Sequence, residues 1–146
     1  MPLPNHTCAP SKILIVRFSH LGDVVSALPL YYSLRSAFPA ARIAWATQTE
    51  YAPLLDPLPG LERVIKLDRR GGLAGIKRLW EELRLFRPDL TVDPQANFKS
   101  AIAALASGAH RRLGPHTRDW REMSARHLAT EHAAFRPHET LAIKRG

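Results

Sequence analysis

A chain of 146 residues with 45% hydrophobic content has the size and composition of one folded domain and is too apolar to be disordered. The formal charge of +8 and pI near 10.4 admit phosphorylated substrates, anionic membrane surfaces and nucleic acids as partners without choosing among them. The strongest apolar run, Ile13-Leu14-Ile15-Val16, falls far short of the roughly 20 residues that span a bilayer, and the lone Cys8 excludes an internal disulfide framework.

Residues 1–11 are expected to be a flexible leader, and their lack of a basic and an apolar region argues against a signal peptide. Residues 12–17 form a near-continuous run of β-branched residues and leucine, as expected of a parallel strand covered on both faces. A loop through Gly22 leads to a helix expected to start at Asp23, with Val24, Val25, Leu28, Tyr31, Tyr32, Leu34 and Phe38 as its apolar stripe. Pro29 must kink that helix or divide it. Residues 42–47 read as a second strand, 49–55 as a short helix and 63–67 as a third strand. Residues 75–86 give a helix stopped by Pro88, 89–93 a fourth strand, 98–106 a small-residue helix and 111–114 a short fifth strand. A weak helical pattern follows at 121–128, and Pro137 precedes a last helical start.

Strand and helix alternating at this spacing predict a Rossmann-like α/β fold, with about five parallel strands in the order 3-2-1-4-5 and helices on both faces. Strands 1 and 4 then meet where the winding reverses, and ligands of such sheets bind beyond the carboxyl ends there. The two loops that should converge are Phe18-Ser19-His20-Leu21-Gly22-Asp23 and Asp93-Pro94-Gln95-Ala96-Asn97-Phe98-Lys99, both unusually polar. Asp23 reads as a helix N-cap worth about 1 kcal/mol. It also reads as a carboxylate able to take a proton from a hydroxyl, and the two roles are compatible. Gly22 would let a ligand approach the backbone, and Lys99 supplies a cation beside it.

Several motifs are absent. The first strand is followed by Gly22 alone rather than G-x-G-x-x-G, and Gly71-Gly72-Leu73-Ala74-Gly75 has the wrong spacing for that fingerprint and reads as a flexible turn. The 7 histidines contain no H-E-x-x-H, and His127 and His132 would not share a helix face, so no metal site is expected.

The stretch Arg17-Phe18-Ser19-His20-Leu21-Gly22-Asp23-Val24-Val25, followed by Leu28-Pro29, resembles the opening motif of glycosyltransferase family 9, which contains the ADP-heptose lipopolysaccharide heptosyltransferases. Val92-Asp93-Pro94-Gln95 with Lys99-Ser100-Ala101 is similar to that family's segment at the end of the fourth strand. Arg111-Arg112-Leu113-Gly114 resembles its Arg-x-Gly-like strand ending. The three stand in order and cover nearly the whole chain. His20 stands where members often carry a small polar residue, Phe18 is bulkier than usual, and Pro94 falls where members vary.

The resemblance implies the N-terminal half of a GT-B type inverting transferase, a chain roughly twice this length with two Rossmann-like domains. This half, expected at 12–136 with 137–146 beginning an interdomain segment, would hold a lipid A–inner-core acceptor. A C-terminal half would hold a nucleotide sugar such as ADP-heptose, with no cofactor or metal besides. At the matching position Asp23 takes the role of general base toward the acceptor hydroxyl. Arg69 and Arg70 match a basic pair for the acceptor's phosphates and acidic sugars, and Arg121-Glu122 a later one, since arginine's planar fork suits such groups. Gly22, His20, Asn97 and Lys99 complete the candidate substrate-binding set. The expected location is cytoplasmic, peripheral to the inner membrane and held by acceptor and basic surface. This half alone is expected not to transfer sugar. A reading from another class stays open: the basic stretch 110–126 suits a non-enzymatic anion- or nucleic-acid-binding domain, although it carries no motif that reads RNA or DNA.

Overall fold

The computed structural model describes residues 8–133. Most of the expected leader and the expected interdomain segment at 137–146 lie outside the described residues. The strands are β1 (Lys12–Val16), β2 (Arg42–Gln48), β3 (Leu61–Leu67), β4 (Leu90–Val92), β5 (Arg111–Gly114) and β6 (Glu131–His132). All pair in parallel in the order β3-β2-β1-β4-β5-β6, so the winding reverses between β1 and β4.

Alternation along β1 explains its central place. Ile13 and Ile15 join Ile43, Trp45 and Val92 beneath α1 (Leu21–Ser26), α2 (Leu28–Ala37) and α3 (Ala52–Leu55), which contribute Val24, Tyr31 and Leu55, with Ala27 from the junction of α1 and α2. Leu14 and Val16 join Ala44, Ala46, Ile65 and Leu67 beneath α4 (Gly72–Phe86) and α5 (Phe98–Ala106), which contribute Leu79, Leu83, Phe86 and Ala103. Burying each such Ile or Leu stabilises by about 1.5–3 kcal/mol. A strand that buries both faces therefore belongs in the middle of the sheet.

Pro29 divides the helix expected from Asp23: α1 ends at Ser26, and Pro29 sits in the first turn of α2, where a missing N–H leaves no bond unmade. α1 opens at Leu21, so Asp23 is its third residue and His20, not Asp23, is the N-cap. The glycine-rich 71–75 stretch is no flexible turn but the start of α4. A Cβ at Gly75 would stand 2.3 Å from the Asp68 carbonyl oxygen, so glycine permits the close approach of this helix to the end of β3. Arg87 in the left-handed conformation, followed by Pro88, ends α4.

The sheet has six strands rather than about five. Two-residue β6 carries no apolar run to announce it. It is held by Thr130 N–H to Arg112 O (2.9 Å), Ala133 N–H to Gly114 O (2.9 Å) and Arg111, whose Nε and Nη2 lie 2.6 and 3.0 Å from the two Glu131 oxygens. Between β5 and β6 the weak helical pattern condenses to a 3-10 turn at Met123–Leu128.

Candidate functional site

The loops that leave β1 and β4 are bonded together. Gln95 Oε1 accepts the Phe18 N–H at 2.8 Å and the Ser19 N–H at 3.4 Å, while Arg17 Nη1 donates to Pro94 O at 3.1 Å. Arg17 is itself buried, anchored by its N–H to Ala46 O at 3.0 Å, and reaches across the reversal point of the sheet.

Asp23 sits at that point. Its Oδ1 lies 3.0 Å from Arg17 Nη2, and its Oδ2 lies 3.8 Å from Arg121 Nη2 and 3.8 Å from His20 Nδ1. Oδ2 also accepts the His20 N–H at 3.4 Å, and the first turn of a helix favours an anion. Partial burial pushes this carboxyl up. The His20 N–H and the charges of Arg17 and Arg121 outweigh burial and hold it below the ordinary carboxylate value. Asp23 is therefore ionised at neutral pH, with its side chain 20% exposed where the loops after β1 and β4 meet.

Asp93 has the opposite environment. It is buried, its Oδ1 accepts the N–H groups of Gln95 (3.0 Å) and Ala96 (3.1 Å), and its Oδ2 accepts the Ser100 hydroxyl (2.9 Å). Burial pushes its carboxyl up to about 6 against those bonds. The side chain shapes the loop. Asn97 caps α5, its Oδ1 accepting the Ser100 N–H at 3.0 Å and Gln95 Nε2–H at 3.2 Å. Ala96, at φ 59°, turns its carbonyl outward to accept the N–H groups of Arg121 (3.0 Å) and Glu122 (3.3 Å). Glu122 Oε2 in turn accepts the Phe98 N–H at 3.1 Å. The basic stretch after β5 is thus a strap folded over the loop after β4, with Trp120 packed against Ala96, Ala101 and Ala125. It delivers Arg121 to Asp23.

The other candidates divide. His20 is on the rim of the crevice, 80% exposed. Lys99 Nζ stands 5.8 Å from the centre of the Phe18 ring, and burial, together with the charge of Arg69, holds its ammonium below the ordinary range. Arg69 is exposed just past the end of β3. Arg70 is exposed, and its N–H donates to Asp68 Oδ1 at 3.0 Å; no described contact joins it to Asp23. Gly22 is exposed, with nothing within 4 Å of where a Cβ would stand, so the need for glycine there is not steric. Sequence reasoning quoted Arg17 and Gln95 within the motifs but gave neither a role. A charged residue closing a buried strand, as Arg17 does, was the available signal.

Among the described residues no group of three His, Cys, Asp or Glu side chains is placed to hold a metal ion. A surface concavity lined by Thr117, Arg126, His127, Ala129 and His132 shares no residue with the Asp23 cluster.

By fold this is a Rossmann-like α/β domain of the kind found in GT-B glycosyltransferases. No family model matches the chain. Over 112 residues it is 28% identical to the lipopolysaccharide core heptosyltransferase OpsX of Haemophilus influenzae, taking in 77% of this chain and 32% of that protein. The E. coli heptosyltransferase WaaC, solved with ADP, shares the fold with a TM-score of 0.74 at 25% identity, over 92% of this chain and 45% of that one. A family 9 glycosyl transferase from Veillonella parvula has the same fold (TM-score 0.73, 18% identity, 92% of this chain and 39% of that one). The chain is thus similar to heptosyltransferases over part of their length, spanning about a third of the curated relatives it matches.

Proposed function

We propose that this chain is the acceptor-binding half of an inverting glycosyltransferase that moves a heptose from a nucleotide sugar such as ADP-heptose to the lipopolysaccharide inner core. The observation that carries the reading is Asp23, an ionised and partly exposed carboxylate held between Arg17 and Arg121 where the sheet reverses. In the reaction the acceptor hydroxyl gives its proton to Asp23 while its oxygen bonds to the anomeric carbon. The bond from that carbon to the diphosphate oxygen breaks on the opposite face, and the nucleoside diphosphate leaves. A carboxylate held below its ordinary pKa is a weak base, so the proton moves late, as the new C–O bond acidifies the hydroxyl.

Lys99, Arg69 and Arg121 suit the acceptor's phosphates and acidic sugars, with His20 and Gly22 at the open rim. The donor sugar falls to residues beyond this sequence, and the scheme uses no metal or other cofactor. A cytoplasmic position, peripheral to the inner membrane, follows from a lipid-borne acceptor and the +8 charge. Among the described residues no helix is long and apolar enough to cross a membrane.

The test compares binding of a lipid A-type phosphosugar with binding of single-stranded RNA at moderate salt. The reading expects the phosphosugar to bind at least tenfold more tightly; RNA binding more tightly by a wide margin overturns it in favour of a nucleic-acid-binding domain. In a protein carrying both halves, Asp23→Asn is expected to lower transfer by about 10²–10⁴-fold.

A further inference from the structure

We infer that the outer face of α4 is a docking surface for an anionic phospholipid bilayer. At about 100° per residue, Leu73, Ile76, Lys77, Trp80 and Arg84 fall on one arc of the helix, bordering the arc of Leu79, Leu83 and Phe86 that packs on the sheet, and Arg87 follows the end of the helix. Leu73 is 85% exposed, Ile76 46% and Trp80 43%. Three large apolar side chains on one stripe mark an interaction surface rather than scattered surface residues.

The charges around the stripe select the partner. Arg69 and Arg70 precede it, Lys77 lies within it, and Arg84 and Arg87 close it. Of the helix's acids, Glu81 lies 3.9 Å from Lys77, and Glu82 falls by helical spacing on the side opposite Leu73. A tryptophan and aliphatic side chains bordered by arginine and lysine suit the boundary between headgroups and acyl chains of an anionic leaflet. A second copy of the chain would bring its own +8 charge to the contact.

α4 begins just past the carboxyl end of β3, at the same end of the parallel sheet as the loop after β1 that carries Asp23. A bilayer on this face would lie beside the crevice that takes a lipid-borne acceptor. In that use the inference rests on the proposed function; its evidence is α4 itself.

The experiment mixes the 146-residue chain with vesicles of phosphatidylglycerol and phosphatidylethanolamine, or of phosphatidylcholine, with no acceptor present. Trp45 and Trp120 are buried, so a change in tryptophan emission reports on Trp80. The expected result is a blue shift and at least tenfold stronger partitioning onto the anionic vesicles, weakened by salt. Leu73→Glu, and separately Lys77→Glu with Arg84→Glu, each lower that partitioning about tenfold or more with an unchanged near-ultraviolet dichroism spectrum. No preference for anionic vesicles, or equal partitioning by wild type and both variants, overturns the inference. So does self-association that Leu73→Glu abolishes without any vesicle binding. Because no acceptor is present, such a failure leaves the Asp23 reading standing, and loss of that reading leaves vesicle binding unaffected.

Discussion

Arg17 and Asp23 form an ion pair at 3.0 Å in which the arginine is buried and the aspartate is not. The cation belongs to the scaffold, since Arg17 also holds Pro94 O across the sheet, and the anion faces the crevice. Arg17 therefore helps to fix the position of the carboxylate and, with the His20 N–H and Arg121, holds it ionised.

Arg17→Met is expected to raise the Asp23 pKa toward or above the ordinary carboxylate value and to cost about 1–3 kcal/mol of stability. This is less than removing one partner of a fully buried pair, because Asp23 keeps some solvent. Arg17→Lys keeps the charge without the fork and should lose less. Carboxyl carbon NMR across a pH series and urea unfolding measure both quantities. An unmoved Asp23 titration would show that Arg17 does not set it.

Asp23 and Asp93 act on stability in opposite directions. Asp93, raised to about 6, favours the folded state most when protonated; that contribution is complete below about 3.8 and is lost as pH rises through 6. Asp23, lowered, stabilises above the ordinary value and loses that contribution as pH falls through its folded value. Asp93→Asn should therefore flatten the pH dependence of unfolding between about 4 and 6. The Asn oxygen still accepts from Gln95 and Ala96, and the Ser100 hydroxyl can turn to Asn97 O, 3.0 Å away. Urea midpoints across that range decide it, and an unchanged slope would mean that Asp93 is not the group responsible.

Gly114→Ala places a Cβ 2.3 Å from Trp120 Cζ2, so the strap has to shift. The expected cost is about 1–3 kcal/mol, with faster amide exchange over residues 117–128 and weaker phosphosugar binding as Arg121 leaves Asp23. Unchanged exchange there would show that the strap does not depend on this contact.

Asn97→Ala should cost about 1 kcal/mol through lost capping of α5, and Asn97→Asp should restore most of it. The side chain already accepts two hydrogen bonds, so its loss appears in the thermal midpoint before it appears in phosphosugar affinity. A fall in affinity with no change in midpoint would make Asn97 a ligand contact instead.

The sheet was legible because its signals are local. The β-branched run at 12–17, the helix stops at Pro39 and Pro88 and the alternation at 63–67 each follow from neighbours in the chain, and the strand order follows from crossover handedness. The meeting of the two polar loops was legible for the same reason. Arg17 was legible only as a charge closing a buried strand, which does not tell whether it points into solvent or across the sheet. The strap was hidden too: His110 to Arg126 reads as a basic tail, and what folds it is Trp120 against Gly114 and Ala96 and the backbone bonds from Arg121 and Glu122. Those contacts leave no periodic pattern in the sequence.

The most direct measurement is an amide chemical-shift titration of the 146-residue chain with a water-soluble lipid A-type phosphosugar, for wild type and Asp23→Asn. Shifts concentrated at residues 18–23, 95–99 and 121, with altered affinity in the variant, are the expected result. Shifts confined to the concavity around Thr117, Arg126 and His132, or identical binding by the two proteins, would contradict an acceptor crevice built on Asp23.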